Sequence, residues 1–162
     1  MVYISSKPYP YMPQGKDIKY APFNNEFMLE AMKVCKGDST DTAHSTGAVV
    51  VKDGVVIGRG ANQSALKNET LKRWHKKYFC VRRLLNIPSG QKYWLCPGCA
   101  SFRHHAEARA VLDALRKNAA ISGADLYMYG HWWCCKPCWD KMLSAGIRDV
   151  YLCEGASELF SR

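Results

Sequence analysis

His105-Ala106-Glu107-Ala108-Arg109-Ala110-Val111-Leu112-Asp113-Ala114-Leu115, then Asp125-Leu126-Tyr127-Met128-Tyr129, then Cys135-Lys136-Pro137-Cys138, is the stretch that decides the fold. The first run is rich in good helix formers, so His105 and Glu107 fall in the opening turn of a helix. Residues 125–129 read as a strand. Cys135 to Cys138 opens a second helix that continues over residues 139–145. Two helix N-termini facing one another present one imidazole and two thiolates to a common point, and their positive dipole ends favour thiolate. One His and two Cys hold zinc on three sides and leave a fourth position for water, whose pKa the metal lowers towards neutrality. Glu107 is then free to shuttle protons. His-x-Glu alone is a weak signal and C-x-x-C a moderate one. Both in this order, each at a helix start with a strand between, form a strong one. The competing reading makes His105 and Glu107 surface residues and the thiols merely buried.

Working outward, Gly47-Ala48-Val49-Val50-Val51-Lys52-Asp53-Gly54-Val55-Val56-Ile57-Gly58-Arg59-Gly60 reads as a β-hairpin around the Asp53-Gly54 turn. A helix over residues 27–35, capped by Asn24 or Asn25, precedes it, with Phe27, Ala31 and Val34 on one face. Residues 148–153 give a further strand. The β-β-α-β-α-β alternation predicts an α/β fold, a mixed sheet covered by helices. The unit over 125–153 is expected to be a parallel crossover, with its ligands at the strands' C-terminal ends. Asn62 closes the second hairpin strand, where it either hydrogen-bonds a sugar hydroxyl or forms a turn.

Two regions stand outside this alternation. Residues 1–23 carry four prolines among tyrosines, which excludes a continuous helix and predicts either an extended arm or a disordered tail ahead of a single domain over 24–162. Residues 64–104 form an insertion. Asn68 caps a helix expected over 69–86, with Leu71, Trp74, Tyr78, Val81 and Leu85 as its apolar stripe. The other faces carry Lys72, Arg73, Lys76, Lys77, Arg82 and Arg83, either solvated or binding phosphate. Cys96-Pro97-Gly98-Cys99 is a tight knuckle. With His75, Cys80 and His104 nearby, it offers more than enough ligands for a second, closed and structural zinc. Which four of the five bind is left open, as is a metal-free turn with Cys80 in the helix stripe.

Composition bounds the rest. The chain has 162 residues, 23 basic against 14 acidic, and a net charge of +9, which suits phosphate-bearing partners. Eight cysteines, six of them near histidines, favour metal over disulfides and an expected cytoplasmic setting. No run approaches a membrane span.

These pieces resemble the cytidine/deoxycytidylate deaminase superfamily over about Phe27 to Leu152. The resemblance is greatest to zinc-dependent dCMP deaminases. It rests on His105-Ala106-Glu107 with Cys135 and Cys138, on Thr46-Gly47-Ala48-Val49-Val50-Val51-Lys52-Asp53-Gly54, on Asn62, and on Cys80-Val81-Arg82-Arg83 followed by Ile87-Pro88-Ser89-Gly90. The resemblance implies a three-layer α/β/α cytidine-deaminase-like fold with a mixed five-stranded sheet and a zinc-stapled insertion. It implies catalytic zinc on His105, Cys135 and Cys138, and Glu107 as general acid/base. The backbone of Ala106 would read the pyrimidine edge and Asn62 would bind deoxyribose, with Arg59, Ser89 and Lys92 as candidates for the 5′-phosphate. It implies conversion of dCMP to dUMP and ammonia by a homo-oligomer open to dCTP and dTTP regulation. Three positions depart from the pattern: Cys134 where Pro is usual, Arg109 where Asn is usual, and the pair Trp132-Trp133. They bear on the precise substrate more than on the reaction. Two alternatives stay open: a deaminase of bases in single-stranded DNA or RNA, motivated by the +9 charge, the basic helix and Trp132-Trp133, and a non-catalytic zinc-knuckle protein that binds nucleic acid, against which the intact Glu107 argues.

Overall fold

The structure is a computed structural model that describes residues 7–41, 44–88 and 90–161. Five strands form one sheet: β1 (Ile18–Ala21), β2 (Gly47–Lys52), β3 (Val55–Ala61), β4 (Asp125–Tyr129) and β5 (Val150–Cys153), in the order β1-β5-β4-β2-β3. β1, β5 and β4 run parallel, whereas β2 is antiparallel to both β4 and β3. The mixed five-stranded sheet expected from the sequence is therefore present. Its outer strand β1 comes from within residues 1–23, the stretch read as an extended arm. Ile18 and Ala21 are buried there, which explains why a short run beside prolines pairs at all.

Small residues set the distance between layers. α1 (Glu26–Asp38) lies on one face of the sheet. Asn25 caps it, its Oδ1 accepting from the amides of Phe27 and Met28. α4 (Ala106–Arg116) lies on the other face. A Cβ on Gly47 would come within 2.4 Å of the Ala31 carbonyl in α1. A Cβ on Gly60 would come within 2.3 Å of the Ala110 amide in α4, and one on Gly58 within 2.4 Å of the Ala110 carbonyl. Gly47 and Gly60 occupy neighbouring register steps and so point to opposite faces. Backbone therefore meets backbone on both sides of the hairpin. α5 (Lys136–Ser144) packs beside α4 and carries the fully buried Trp139 and Met142. α6 (Ala156–Phe160) ends the described chain, with Phe160 edge-on to Tyr129.

The insertion departs from its expected form. The helix predicted over 69–86 is two helices, α2 (Glu69–Lys77) and α3 (Val81–Leu84), broken at Tyr78 to Cys80. Cys80 is extended, with φ −123° and ψ 116°. Arg83 folds back and donates from Nη2 to the carbonyls of His75 and Lys76, closing the end of α2. The stripe expected to face inward faces out: Leu71, Trp74, Tyr78 and Leu85 are exposed, while Lys72, His75 and Arg82 are buried. The pull of His75 and Cys80 towards the Cys96–Cys99 knuckle sets the rotation of these helices, and apolar burial does not.

Candidate active site and metal centres

His105 is the N-cap of α4 and Cys135 the N-cap of α5, and neither side chain caps its own helix. Both turn instead to one point. His105 Nδ1 lies 3.5 Å from Cys135 Sγ and 3.5 Å from Cys138 Sγ, and the three ligand atoms fall within 4.8 Å of one another. Tetrahedral zinc with ordinary Zn–S and Zn–N bonds needs an S···N edge of about 3.5 Å, so these residues fit the metal. The far nitrogen, His105 Nε2, donates to the Ala100 carbonyl at 3.2 Å and leaves Nδ1 as the ligand atom. Tyr93 meets the imidazole edge-on at 5.0 Å.

Charge at this point follows from burial and contact. Hydrogen bonding from Cys138 and from His105 outweighs desolvation and holds the Cys135 thiol down at about 4, so it is a thiolate at neutral pH. Burial works against an imidazolium at His105, but the Cys135 contact and the Glu107 charge outweigh it and raise its pKa. Burial pushes the Glu107 carboxyl above the ordinary carboxylate value, with His105 opposing. A carboxyl tuned upward in this way exchanges protons near neutral pH more readily than an exposed one. Burial also raises Cys134 well above the ordinary thiol value, and its thiol hydrogen-bonds to Glu107. Cys134 is thus set apart from Cys135 and becomes a neighbour of Glu107. The sequence offered no signal for that contact beyond its departure from proline.

The second cluster comprises His75, Cys80, Cys96 and Cys99. Cys80 Sγ lies 3.9 Å from Cys96 Sγ and 3.7 Å from Cys99 Sγ, and Cys99 Sγ lies 3.7 Å from His75 Nε2. Sulfur–sulfur edges around tetrahedral zinc are about 3.8 Å. A Cβ at residue 98 would strike the His75 ring at 2.2 Å, so glycine in the knuckle is what lets the histidine in. His104 is not in the cluster; its Nδ1 is bonded to Ser101 Oγ at 2.8 Å. Arg82 braces the cluster: it donates to the carbonyls of Gln91 and Pro88, lies 3.6 Å from Cys99 Sγ, and stacks its guanidinium 4.1 Å from the Tyr93 ring.

A cavity of about 680 Å³ opens over His105, Ala106, Glu107 and Cys135. Asn62 is in its wall. Its Oδ1 accepts from the Thr46 amide at 2.9 Å and Ser39 Oγ at 2.6 Å, and its Nδ2 donates to the His44 carbonyl at 2.6 Å. Trp132 and Trp133 form another wall, Trp133 buried against Cys135 and Cys138 and Trp132 stacked at 6.3 Å on Tyr9. Burial first, then His105 and His44, lower the His131 pKa to about 4, so it lines the cavity as a neutral imidazole. Among the described residues, the cations that line the cavity are Lys76, Arg82 and Arg83. Arg59 and Lys92 do not line it. Arg59 Nε is drawn to Glu30 Oε1 at 3.0 Å, on the outer side of β3. Ser89 lies outside the described residues. The helical periodicity had placed Lys76 and Arg83 on a generic basic face, and only the break in the helix turns them to the cavity.

Among the described residues no helix is long and apolar enough to cross a membrane. No curated protein matches the sequence. Among solved structures the chain is similar to a diaminohydroxyphosphoribosylaminopyrimidine deaminase/5-amino-6-(5-phosphoribosylamino)uracil reductase from Thermotoga maritima, at 25% identity and a TM-score of 0.45. The match covers 78% of this chain and 28% of that protein, so this chain spans less than a third of its length. It is similar to a dCMP deaminase from the cyanophage S-TIM5, at 20% identity and a TM-score of 0.49 over 83% of this chain and 86% of that one. A guanine deaminase from Bacillus subtilis gives 21% and 0.45 over 83% and 68%. The family model for the cytidine and deoxycytidylate deaminase zinc-binding region matches residues 22–154 and takes in both helix starts, both clusters and the whole cavity floor; the chain belongs to this family of zinc-dependent deaminases.

Proposed function

We propose that this protein deaminates dCMP, giving dUMP and ammonia. The observation that carries the reading is that one cavity holds both the His105, Glu107 and Cys135 chemistry and a basic wall of Lys76 and Arg83. Its volume suits one small ligand. Catalytic zinc on His105, Cys135 and Cys138 supplies the Lewis acidity that makes water a competent nucleophile near neutral pH. A second zinc on His75, Cys80, Cys96 and Cys99 fixes the insertion.

The chain's own residues supply the rest. Water adds its oxygen to C4 of the cytosine, and the bond from C4 to the exocyclic amine breaks. Glu107 takes a proton from the water, places it on N3, and delivers a second to the departing amine. The Ala106 backbone holds the pyrimidine edge. Asn62 retains one Nδ2 hydrogen beyond the bond to His44, which serves a deoxyribose hydroxyl. Lys76 and Arg83 take the 5′-phosphate.

The test is ammonia release on dCMP, CMP, deoxycytidine and a cytosine-containing single strand, compared side by side. Preference for dCMP over deoxycytidine is expected. Turnover of the strand alone would overturn the proposal and favour a polynucleotide deaminase. Glu107→Gln is expected to keep its zinc and lose about 10³-fold in turnover, checked by metal analysis beside the rate.

A further inference from the structure

The net positive charge of this chain is concentrated in one region. Residues 64–104 hold nine of the 23 basic residues and one of the 14 acidic ones, a net +8 out of +9. The deaminase core is close to neutral. The same segment displays aromatic rings to solvent: Trp74 is 56% exposed, Tyr78 64% and Trp94 80%. At the C-terminal end of α2 the rings are grouped. Trp74 lies 6.1 Å from Tyr78 and 6.4 Å from Phe79, and Lys77 Nζ sits 4.9 Å over the Tyr78 ring. Arg73 and Lys77 are one helical turn apart and both exposed. The opposite side of α2 is committed, with His75 in the metal cluster and Lys72 paired to Glu69. The outward display therefore follows from the cluster, which fixes which side of the helix faces in.

We propose that this outer face of the insertion, Arg73, Trp74, Lys77, Tyr78 and Phe79, binds single-stranded nucleic acid at a place separate from the catalytic cavity. Planar rings with cations set among them match alternating bases and phosphates: rings stack on bases and the cations neutralise the backbone. An acidic protein surface would use the cations and leave the rings unmatched. A bilayer would take an uninterrupted apolar stripe, whereas here Lys77 stands on the ring surface itself.

The experiment uses the full-length zinc-loaded protein and a labelled oligodeoxythymidylate of about 20 nucleotides, read by fluorescence anisotropy across a salt series. It contains no cytosine, so the result is independent of whether dCMP is the substrate. Binding is expected, with log K falling against log salt at a slope of about −1.4 for the two phosphates that Arg73 and Lys77 neutralise. Trp74→Ala is expected to weaken binding roughly 5- to 100-fold with the slope unchanged, and Trp74→Phe to restore most of it. The double change Arg73→Gln with Lys77→Gln, both at exposed positions, flattens the slope even if Trp74→Ala proves unstable. Saturating dCMP leaves the strand bound.

Five outcomes overturn the proposal. They are no binding at low salt; equal affinity for heparin with no effect of Trp74→Ala; displacement by dCMP, which would put the strand in the cavity; tighter binding to phosphatidylserine vesicles than to the strand; and loss of self-association as the main effect of Trp74→Ala.

Discussion

The sheet with α1 and α4 and the insertion carrying α2 and α3 belong to one chain but are built on opposite plans. In the sheet, Val49, Val50, Leu126, Met128 and Leu152 are fully buried and glycines let backbones touch. In the insertion, His75, Lys72 and Arg82 are inside and Trp74, Tyr78 and Leu85 outside. The core is held by apolar area taken from water, at about 25 cal/mol per Å². Among the described residues the insertion has no such core, and what ties it together is the cluster of His75, Cys80, Cys96 and Cys99 with the Arg82 and Arg83 bonds to carbonyls. A segment stabilised from within by ligands is released from the need to hide its apolar side chains.

The comparison breaks most sharply at the metal. Stripping zinc by chelation, or Cys96→Ser with Cys99→Ser, should collapse the insertion and leave the sheet folded, since a structural zinc contributes on the order of 10 kcal/mol to a segment of this kind. Limited proteolysis should then cut within 64–104, while far-UV circular dichroism keeps most of its strand signal. Simultaneous loss of the whole fold would show that the two regions are one cooperative unit. Next in size, Gly60→Ala should cost about 1–3 kcal/mol, because its methyl meets the Ala110 amide and pushes α4 off the sheet. Urea melts measure the cost. Zinc affinity at His105, Cys135 and Cys138 should fall with it, since His105 is the N-cap of α4.

Alkaline pH tests the core alone. Burial pushes the Cys35 and Cys153 thiols up from 9.0 to about 11. The folded state prefers the neutral thiol, so the unfolded chain ionises first. The stability these thiols contribute is complete below pH 9 and is lost as pH rises towards 11. The thermal midpoint should fall over that window, and fall less in Cys35→Ala. Smallest of all, Trp74→Ala should change stability by less than about 0.5 kcal/mol despite deleting the largest side chain of α2, because the ring is mostly exposed. A larger cost would mean that the ring packs on something.

Legibility in the sequence follows the same division. The hairpin at Asp53-Gly54, the strand at 125–129 and the two helix starts bearing His105 and Cys135 are local patterns, and all appear in the fold. β1 was hidden because Ile18-Lys19-Tyr20-Ala21 carries little periodicity of its own and pairs through β5, more than 100 residues away. The insertion was misread for a physical reason. A 3.6-residue apolar repeat predicts an inward face only when hydrophobic burial decides orientation, and in α2 the histidine at position 75 decides it. The choice of His75 over His104 was likewise not local, since it depends on how Gly98 opens the knuckle to the ring.

The bond from His105 Nε2 to the Ala100 carbonyl has a consequence in time. Ala100 is the residue after Cys99, so the acceptor that orients the His105 imidazole is attached to the knuckle. During synthesis from the N-terminus, His75, Cys80, Cys96 and Cys99 all emerge before His105, and Cys135 and Cys138 follow some 30 residues later. The order of emergence is thus the order of dependence. The brace can form first, the histidine then meets a fixed acceptor, and the two thiols close a centre whose first ligand already points the right way.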